Sequence, residues 1–265
     1  MSTIKHLVTS GCSFSLTPTQ EIPDASSGWP HYVAESLGVQ LHNTAMGSQG
    51  NDLICRKAIH RVDRLLKQGV SANEILVGFM WSGPDRKDFY SSEVPSELPY
   101  NNSGWLQNPV RFVGTDSSSG GWVLMSAGWM HEHSKVWYDV FYDQPAAHIN
   151  TYERIHWAQS YLKSVNVRYF MCTFMSNVIN YMNEKEIGEA GYIEACRLDP
   201  NINWMHNSVD WDKFLPVKSY SDWCARNFVD FEDYYDHPQE HHASAFADAI
   251  IIPFVKKRIL ANTKL

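Results

Sequence analysis

The chain of 265 residues has few cysteines, and its five form no CxxC pair. Cysteines that are scattered and odd in number argue against a disulfide framework or a zinc ribbon, and they are typical of a reducing compartment. No apolar run approaches the roughly 18 residues that a membrane span requires. The N-terminal stretch IKHLV is too short for the apolar core of a signal peptide. We therefore expect a cytoplasmic protein with no membrane partner.

Positive charge is also scarce. The 22 Lys and Arg residues face 29 Asp and Glu residues, which gives a formal net charge of −7. Because no basic stripe is present to bind a phosphate backbone, we expect no nucleic-acid partner. Apolar residues (44%) and aromatic residues (13%) are abundant enough to exclude a disordered chain. Neither a linker nor an internal repeat interrupts the sequence, so it predicts one domain over residues 1–265.

Short apolar runs and amphipathic stretches alternate along most of the chain. The predicted strands are IKHLVTS, VQLHNTA, EILVGFMW and VRYFMCTF. The predicted helices are SGWPHYVAESLG, NDLICRKAIHRVDRLLKQG with Asn51 as its cap, NTYERIHWAQSYLKS with a capping box at Asn150 and Glu153, and a last helix from about His242 that is perturbed at Pro253. This alternation predicts an α/β fold, a three-layer, flavodoxin-like parallel sheet with functional groups at the carboxyl ends of its strands.

Regular periodicity is missing from about residue 83 to 148. This stretch contains SSSGG, scattered prolines and four of the ten tryptophans: Trp105, Trp122, Trp129 and Trp137. Because so long an irregular segment is uncommon inside a compact domain, it predicts an insertion that can carry strands of its own. The tryptophans either form a wall for a carbohydrate or acyl group or pack the insertion onto the core.

Unusual residues follow each of the first three predicted strands. GCSFS follows the first at residues 11–15, NTAMGSQGN the second at 43–51, and WSGPDR the third at 81–86. Far downstream, DYYDHP at 233–238 precedes the last helix. A serine hydroxyl becomes a nucleophile when a histidine takes its proton, and a carboxylate orients that histidine. Backbone N–H groups of a glycine-bearing loop can bind the oxyanion that forms.

These segments resemble, in order, the four signature blocks of the SGNH (GDSL-type) hydrolase family. The resemblance extends from residue 11 to residue 238, and it is closest to phage-encoded and marine bacterial members. Those members share the GCSF block, a WS-x-x-x-R third block and a tryptophan-rich middle. For a phage-encoded protein, the expected location would be the host cytoplasm.

The resemblance implies a serine esterase without a cofactor or a metal. In that family Ser13 would be the nucleophile and His237 the general base. Asp233 or Asp236 would orient the histidine, because Tyr234 occupies the position where the family has its aspartate. The implied substrate is a small-molecule or glycan ester, and the implied reaction is most specifically the O-deacetylation of a carbohydrate.

The oxyanion donors implied by the family depart from its pattern. Ser48, with Gly47 beside it, stands where the family has a glycine, and its backbone N–H would serve the same purpose. Pro84 and its neighbours occupy the place of the third-block asparagine, so the Ser82 hydroxyl would substitute for that amide. Cys12 stands where the GDS block has its aspartate. Because that aspartate is not the family's nucleophile, the resemblance tolerates this change.

Two further residues are candidates for substrate contacts. Asn51 would either contact the substrate or cap its helix. Arg86 would either bind a substrate oxygen or form a structural ion pair. Asn43 is expected to form hydrogen bonds between the loops, with a structural role.

Several alternatives remain open at the level of sequence. Ser13 can be a plain turn residue, and Cys12 can be a nucleophile in its place or a small buried hydrophobe. His131, His133, His241 and His242 suggest a metal, but they do not make a complete ligand set. The whole chain can instead be a non-catalytic carbohydrate-binding or structural protein of the same fold, or an O-acyltransferase that uses the same serine.

Overall fold

The computed structural model describes residues 4–17, 27–91, 121–125, 132–175, 200–231 and 238–261. Its strands are β1 (His6–Ser10), β2 (Gln40–Asn43), β3 (Ile75–Trp81), β4 (Lys87–Ser91), β5 (Gly121–Met125) and β6 (Arg168–Thr173). Four of them form a parallel sheet in the order β2-β1-β3-β6, which confirms an α/β architecture. β4 and β5 pair with each other in antiparallel fashion.

The described helices lie between and after these strands. They are α1 (Trp29–Leu37), α2 (Asn51–Lys67), α3 (Glu132–Val140), α4 (Gln144–Ser164), α5 (Pro200–Ser208), α6 (Tyr220–Asn227) and α7 (Glu240–Phe246). The helical path of α7 continues to Leu260, with π-helical turns on both sides of the segment that contains Pro253. None of these helices has both the length and the apolar composition needed to cross a bilayer.

Helices cover both faces of the sheet. The chain moves from β1 to β2 in one direction and from β2 to β3 in the other. Because parallel crossovers are right-handed, α1 and α2 must lie on opposite faces. Contacts agree with this: α2 packs against α4, whereas α1 packs against α7 and its continuation. All seven residues of β3 are buried, as expected of a central strand covered on both sides.

One predicted helix start and one predicted helix cap are wrong. α4 begins at Gln144 and not at Asn150, because Asp143 accepts a hydrogen bond from Ala146 N at 2.8 Å and Pro145 follows at a position that favours helix initiation. α2 begins at Asn51 as expected, but its cap is Gly50, and the Asn51 side chain makes no capping bond. In both helices, therefore, the residue at the cap is not the one that the sequence predicts.

The segment predicted as an insertion contains β4, β5 and α3. Of its four tryptophans, Trp137 lies in α3 and Trp122 in β5, and the other two are outside the described residues. The ring of Trp137 packs edge-on against Phe89 of β4, with 5.0 Å between the ring centres. For Trp137, therefore, packing within the insertion is the observed role.

Candidate functional site

The sheet topology marks one place at the carboxyl ends of the strands. The direction in which successive strands are added to the sheet reverses at β1, which has β2 on one side and β3 on the other. In open α/β sheets, ligands bind in the crevice at such a switch point. The loop after β1 contains Ser13, and the loop after β3 contains Ser82. These two predicted site residues therefore lie in the loops that flank the crevice.

Ser13 begins a single 3₁₀ turn that ends at Ser15. The Ser15 N–H donates to the Cys12 carbonyl at 3.0 Å, and the turn leaves Ser13 half-buried while Ser15 is fully buried. Ser15 Oγ accepts a hydrogen bond from Trp29 Nε1 at 2.9 Å and contacts Met80 Sδ at 3.4 Å. Ser15 is thus a structural hydroxyl. Cys12 is also fully buried, as expected of the small buried hydrophobe that is one of its two interpretations.

Asn43 ties the loop after β2 to the Ser13 turn. Its amide nitrogen donates to the Ser15 carbonyl at 2.7 Å and to Thr17 Oγ1 at 3.0 Å. Its amide oxygen accepts from Thr9 Oγ1 at 2.9 Å. The structural role expected of Asn43 is therefore confirmed.

The turn at Gly47 and Ser48 also packs against the end of β1. The Gly11 carbonyl accepts hydrogen bonds from Met46 N at 3.3 Å and from Gln49 Nε2 at 3.1 Å. Ser48 is 4% exposed and has a φ of 68°. This left-handed conformation is the one that glycine adopts without steric cost. At the position where the resemblance expects glycine, the backbone of this serine therefore has a glycine-like conformation.

Ser82 is held by the first residue of α2. Asn51 accepts a hydrogen bond from Ser82 N at 2.8 Å and donates one to Ser82 O at 3.0 Å. Asn51 Nδ2 also lies 3.1 Å from Thr151 Oγ1 of α4. The Ser82 side chain is fully buried, and within the described ranges its hydroxyl has no hydrogen-bond partner. The third loop thus has a fixed backbone and an unused hydroxyl.

The N-terminus of α2 has a cap that sequence reasoning missed. The Asp88 carboxylate, from β4, accepts hydrogen bonds from Gly50 N and Leu53 N, each at 2.9 Å. Burial raises the pKa of Asp88 to about 6, although both hydrogen bonds favour the ionised form. No local signal marks this residue, because its partners lie 35 and 38 positions earlier in the chain.

Arg86 lies close to the Ser13 turn. Its guanidinium carbon is 5.2 Å from the centre of the Phe174 ring. That ring packs edge-on against Phe14, with 5.0 Å between the ring centres. Arg86 is therefore separated from the residue next to Ser13 by one aromatic ring.

Asp233, Asp236 and His237 lie outside the described residues. The chain on their C-terminal side is described, and it approaches the Ser13 turn. Glu240 Oε1 accepts a hydrogen bond from Ser27 N at 3.0 Å, and the next residue, Gly28, donates from its N–H to the Leu16 carbonyl at 2.8 Å. The start of α7 is thus connected to the chain immediately after Ser13 through two hydrogen bonds.

One group of residues has the spacing of metal ligands in the described part of the chain: Asp230, His241 and His242. His242 Nδ1 accepts a hydrogen bond from Gln239 N at 3.0 Å, so the proton of the neutral ring is on Nε2. That nitrogen lies 3.3 Å from Asp230 Oδ1, to which it donates. A metal ion bound there would have to displace this proton. The group is thus better described as a hydrogen-bond network, in which the His242 bond lowers the pKa of Asp230.

Comparison with known proteins adds no family assignment. No protein-family model matches this chain, and no curated protein matches it either.

Proposed function

We propose that this chain is a serine esterase of the SGNH type with a flavodoxin-like sheet. It would hydrolyse a small acyl ester, most specifically an O-acetyl group on a carbohydrate. The strand order β2-β1-β3-β6 supports the fold part of the proposal, because it corresponds to the flavodoxin-like order with its switch point between β1 and β3.

The observation that carries the proposal is the Ser48 backbone. A buried serine with a φ of 68° is sterically costly, and it lies in a loop bonded to Gly11, two residues before Ser13. An oxyanion site needs a backbone N–H fixed close to the nucleophile. The cost of this conformation is understandable if the loop supplies such an N–H.

The proposed reaction begins at Ser13 Oγ. His237 takes the hydroxyl proton while the oxygen attacks the acyl carbon, and the carbonyl electron pair moves onto the carbonyl oxygen. The N–H groups of Ser13 and Ser48 and the Ser82 hydroxyl stabilise that oxyanion, and each donor is worth roughly 3–4 kcal/mol in comparable sites. The intermediate collapses and expels the alcohol, which receives the proton from His237.

Water completes the cycle. His237 takes a proton from water while the hydroxide attacks the acyl-serine ester. The bond between Ser13 Oγ and the acyl carbon then breaks, His237 returns the proton to Ser13 Oγ, and a carboxylic acid leaves. Asp233 or Asp236 accepts a hydrogen bond from the histidine ring and stabilises its protonated form. Neither a metal nor a redox cofactor takes part in these steps.

The test compares the hydrolysis of nitrophenyl acetate by the wild type, Ser13→Ala and His237→Ala. Each variant should lose roughly 10³-fold or more in kcat. The control is Ser71→Ala, which should retain full activity, because this exposed serine precedes the amino end of β3 and the crevice is at the carboxyl end. A fluorophosphonate probe should label Ser13 alone. Asp233→Asn and Asp236→Asn identify the orienting carboxylate by the larger loss.

Three results would overturn the proposal. Wild-type hydrolysis at the background rate would favour a non-catalytic binding protein, and full activity in Ser13→Ala would exclude this nucleophile. Product formed only when an acceptor alcohol is supplied would instead identify an acyltransferase.

A further inference from the structure

A pocket of about 260 Å³ lies beside the proposed catalytic crevice. It is bounded by the first residues of α2, the segment 84–87 that follows β3, and the facing parts of α3 and α4. Its volume suits a small polar ring better than an extended polymer or a long acyl chain.

Two residues that line the pocket also contact residues of the crevice or their neighbours. Asn51 lines it, and the same side chain holds both backbone groups of Ser82. Arg86 also lines it and lies over the Phe174 ring, which packs against Phe14. The two residues that the sequence predicts as substrate contacts thus border this pocket. A group bound here would therefore be one side chain, that of Asn51, away from Ser82.

One wall of the pocket is aromatic. Trp137 and Phe141 stack with 5.6 Å between their ring centres, and Tyr142 follows them in the chain. Phe141 is 64% exposed although it lines the pocket. Burial raises the pKa of Tyr142 to about 12, so its hydroxyl remains protonated and can donate a hydrogen bond. Flat aromatic surface combined with hydroxyl and amide groups fits the faces and edges of a sugar ring.

The charges of the pocket do not favour an anion. Lys87 Nζ lies 2.9 Å from Asp52 Oδ2, and Arg154 Nε lies 2.5 Å from Asp52 Oδ1, so one carboxylate engages both cations. Asp85 and Arg86 add one charge of each sign, and Asp143 brings the lining to three carboxylates against three cations. A ligand without net charge that carries many hydroxyl groups meets these conditions.

We propose that this pocket binds a neutral hexose-type ring and acts as the sugar subsite for the ester substrate. The inference rests on the proposed esterase function, because a sugar bound here would hold its acetyl group towards Ser82 and Ser13. Phe141 would stack on the ring, and Asn150 with the Tyr142 hydroxyl would bind its hydroxyl groups.

The test uses Phe141→Ala and a matched control, Val140→Ala. Val140 is the preceding residue and is 66% exposed, but it does not line the pocket. For Phe141→Ala, the ratio of kcat/KM on an acetylated methyl hexoside to kcat/KM on nitrophenyl acetate should fall roughly tenfold through a higher KM. For Val140→Ala, both values should remain at the wild-type level. An unchanged ratio in Phe141→Ala would overturn the subsite.

Direct binding separates this inference from the proposed activity. Saturation-transfer NMR with unacetylated methyl hexosides and the Ser13→Ala protein should show contact, which Phe141→Ala abolishes and Val140→Ala preserves. Sugar binding without any hydrolysis would support the pocket and refute the esterase. Hydrolysis without sugar binding would support the esterase and refute the sugar subsite. Stronger binding of a uronate or a sugar phosphate than of a methyl hexoside would refute the inference that the ligand is neutral.

Discussion

Replacing Asp88 with asparagine tests which of two opposing effects on the charge at the start of α2 is larger. The carboxylate accepts two hydrogen bonds from the helix N-terminus, where the helix dipole favours negative charge. Its side chain is also buried, with 5% of the residue exposed. The hydrogen bonds and the dipole stabilise the ionised form, and desolvation destabilises it.

The pKa of Asp88 indicates that desolvation is the larger effect. A value of about 6, against an ordinary 3.8, corresponds to about 3 kcal/mol. Because the folded protein holds this proton more tightly than the unfolded chain, the contribution to stability is fully present below about pH 3.8. It is lost as the pH rises through about 6.

Asparagine does not titrate and resembles the protonated acid in shape. Near pH 4 the Asp88→Asn variant and the wild type should therefore have similar free energies of unfolding. Near pH 8 the variant should be more stable by about 3 kcal/mol. Urea unfolding at several pH values, followed by tryptophan fluorescence, measures this difference.

Glu74→Gln provides a control of opposite sign. The Glu74 carboxylate pairs with Lys5 at 2.5 Å, and this hydrogen bond lowers its pKa. Its contribution is therefore lost as the pH falls, so Glu74→Gln should weaken relative to the wild type as the pH rises. If Asp88→Asn instead lost stability relative to the wild type between pH 4 and pH 8, the hydrogen bonds and the dipole would outweigh desolvation, and the reasoning above would be wrong.

Three further substitutions test the crevice. Gly11→Ala should destabilise the fold by about 1–3 kcal/mol, because a Cβ at this position would lie 2.9 Å from Ser15 Cβ; an unchanged melting temperature would refute this packing. Asn51→Ala should lower the free energy of unfolding by about 2 kcal/mol or more, because it leaves two buried backbone groups of Ser82 without partners. A decrease below about 0.5 kcal/mol would show that water replaces the amide. Ser82→Ala should leave the melting temperature unchanged, because the hydroxyl has no partner in the described part of the chain, yet lower kcat roughly 10²-fold; unchanged kcat would remove this hydroxyl from the oxyanion site.

Local patterns were enough to predict most of the regular elements. α1 lies where its pattern predicts, with Pro30 at its start and the left-handed Gly38 at its end. β3 coincides with the apolar run EILVGFMW except for its first residue. These predictions succeed because helix ends and buried strands depend on residues that are close together in the chain.

The candidate site was predicted only in part. The order of the loops at the carboxyl edge follows from the α/β alternation, and it puts Ser13 and Ser82 on the two sides of the switch point. The roles of Asp88 and Asn51 did not follow, because Asp88 caps a helix 38 positions away and Asn51 binds a residue 31 positions away. Because Asn51 is the polar residue at the start of α2, its local sequence predicts that it caps that helix. In the folded chain Asp88 accepts the hydrogen bonds of the helix N-terminus instead.

The sequence by itself determined the alternation of strands and helices and the positions of the loops that follow the strands, since side-chain periodicity and helix-end residues act over a few neighbours. The tertiary structure alone decided the left-handed backbone of Ser48, the burial of Asp88 and the pocket between α2, α3 and α4. Each of these depends on atoms that come together only when distant segments pack, and the free energy of that packing is a property of the three-dimensional contacts.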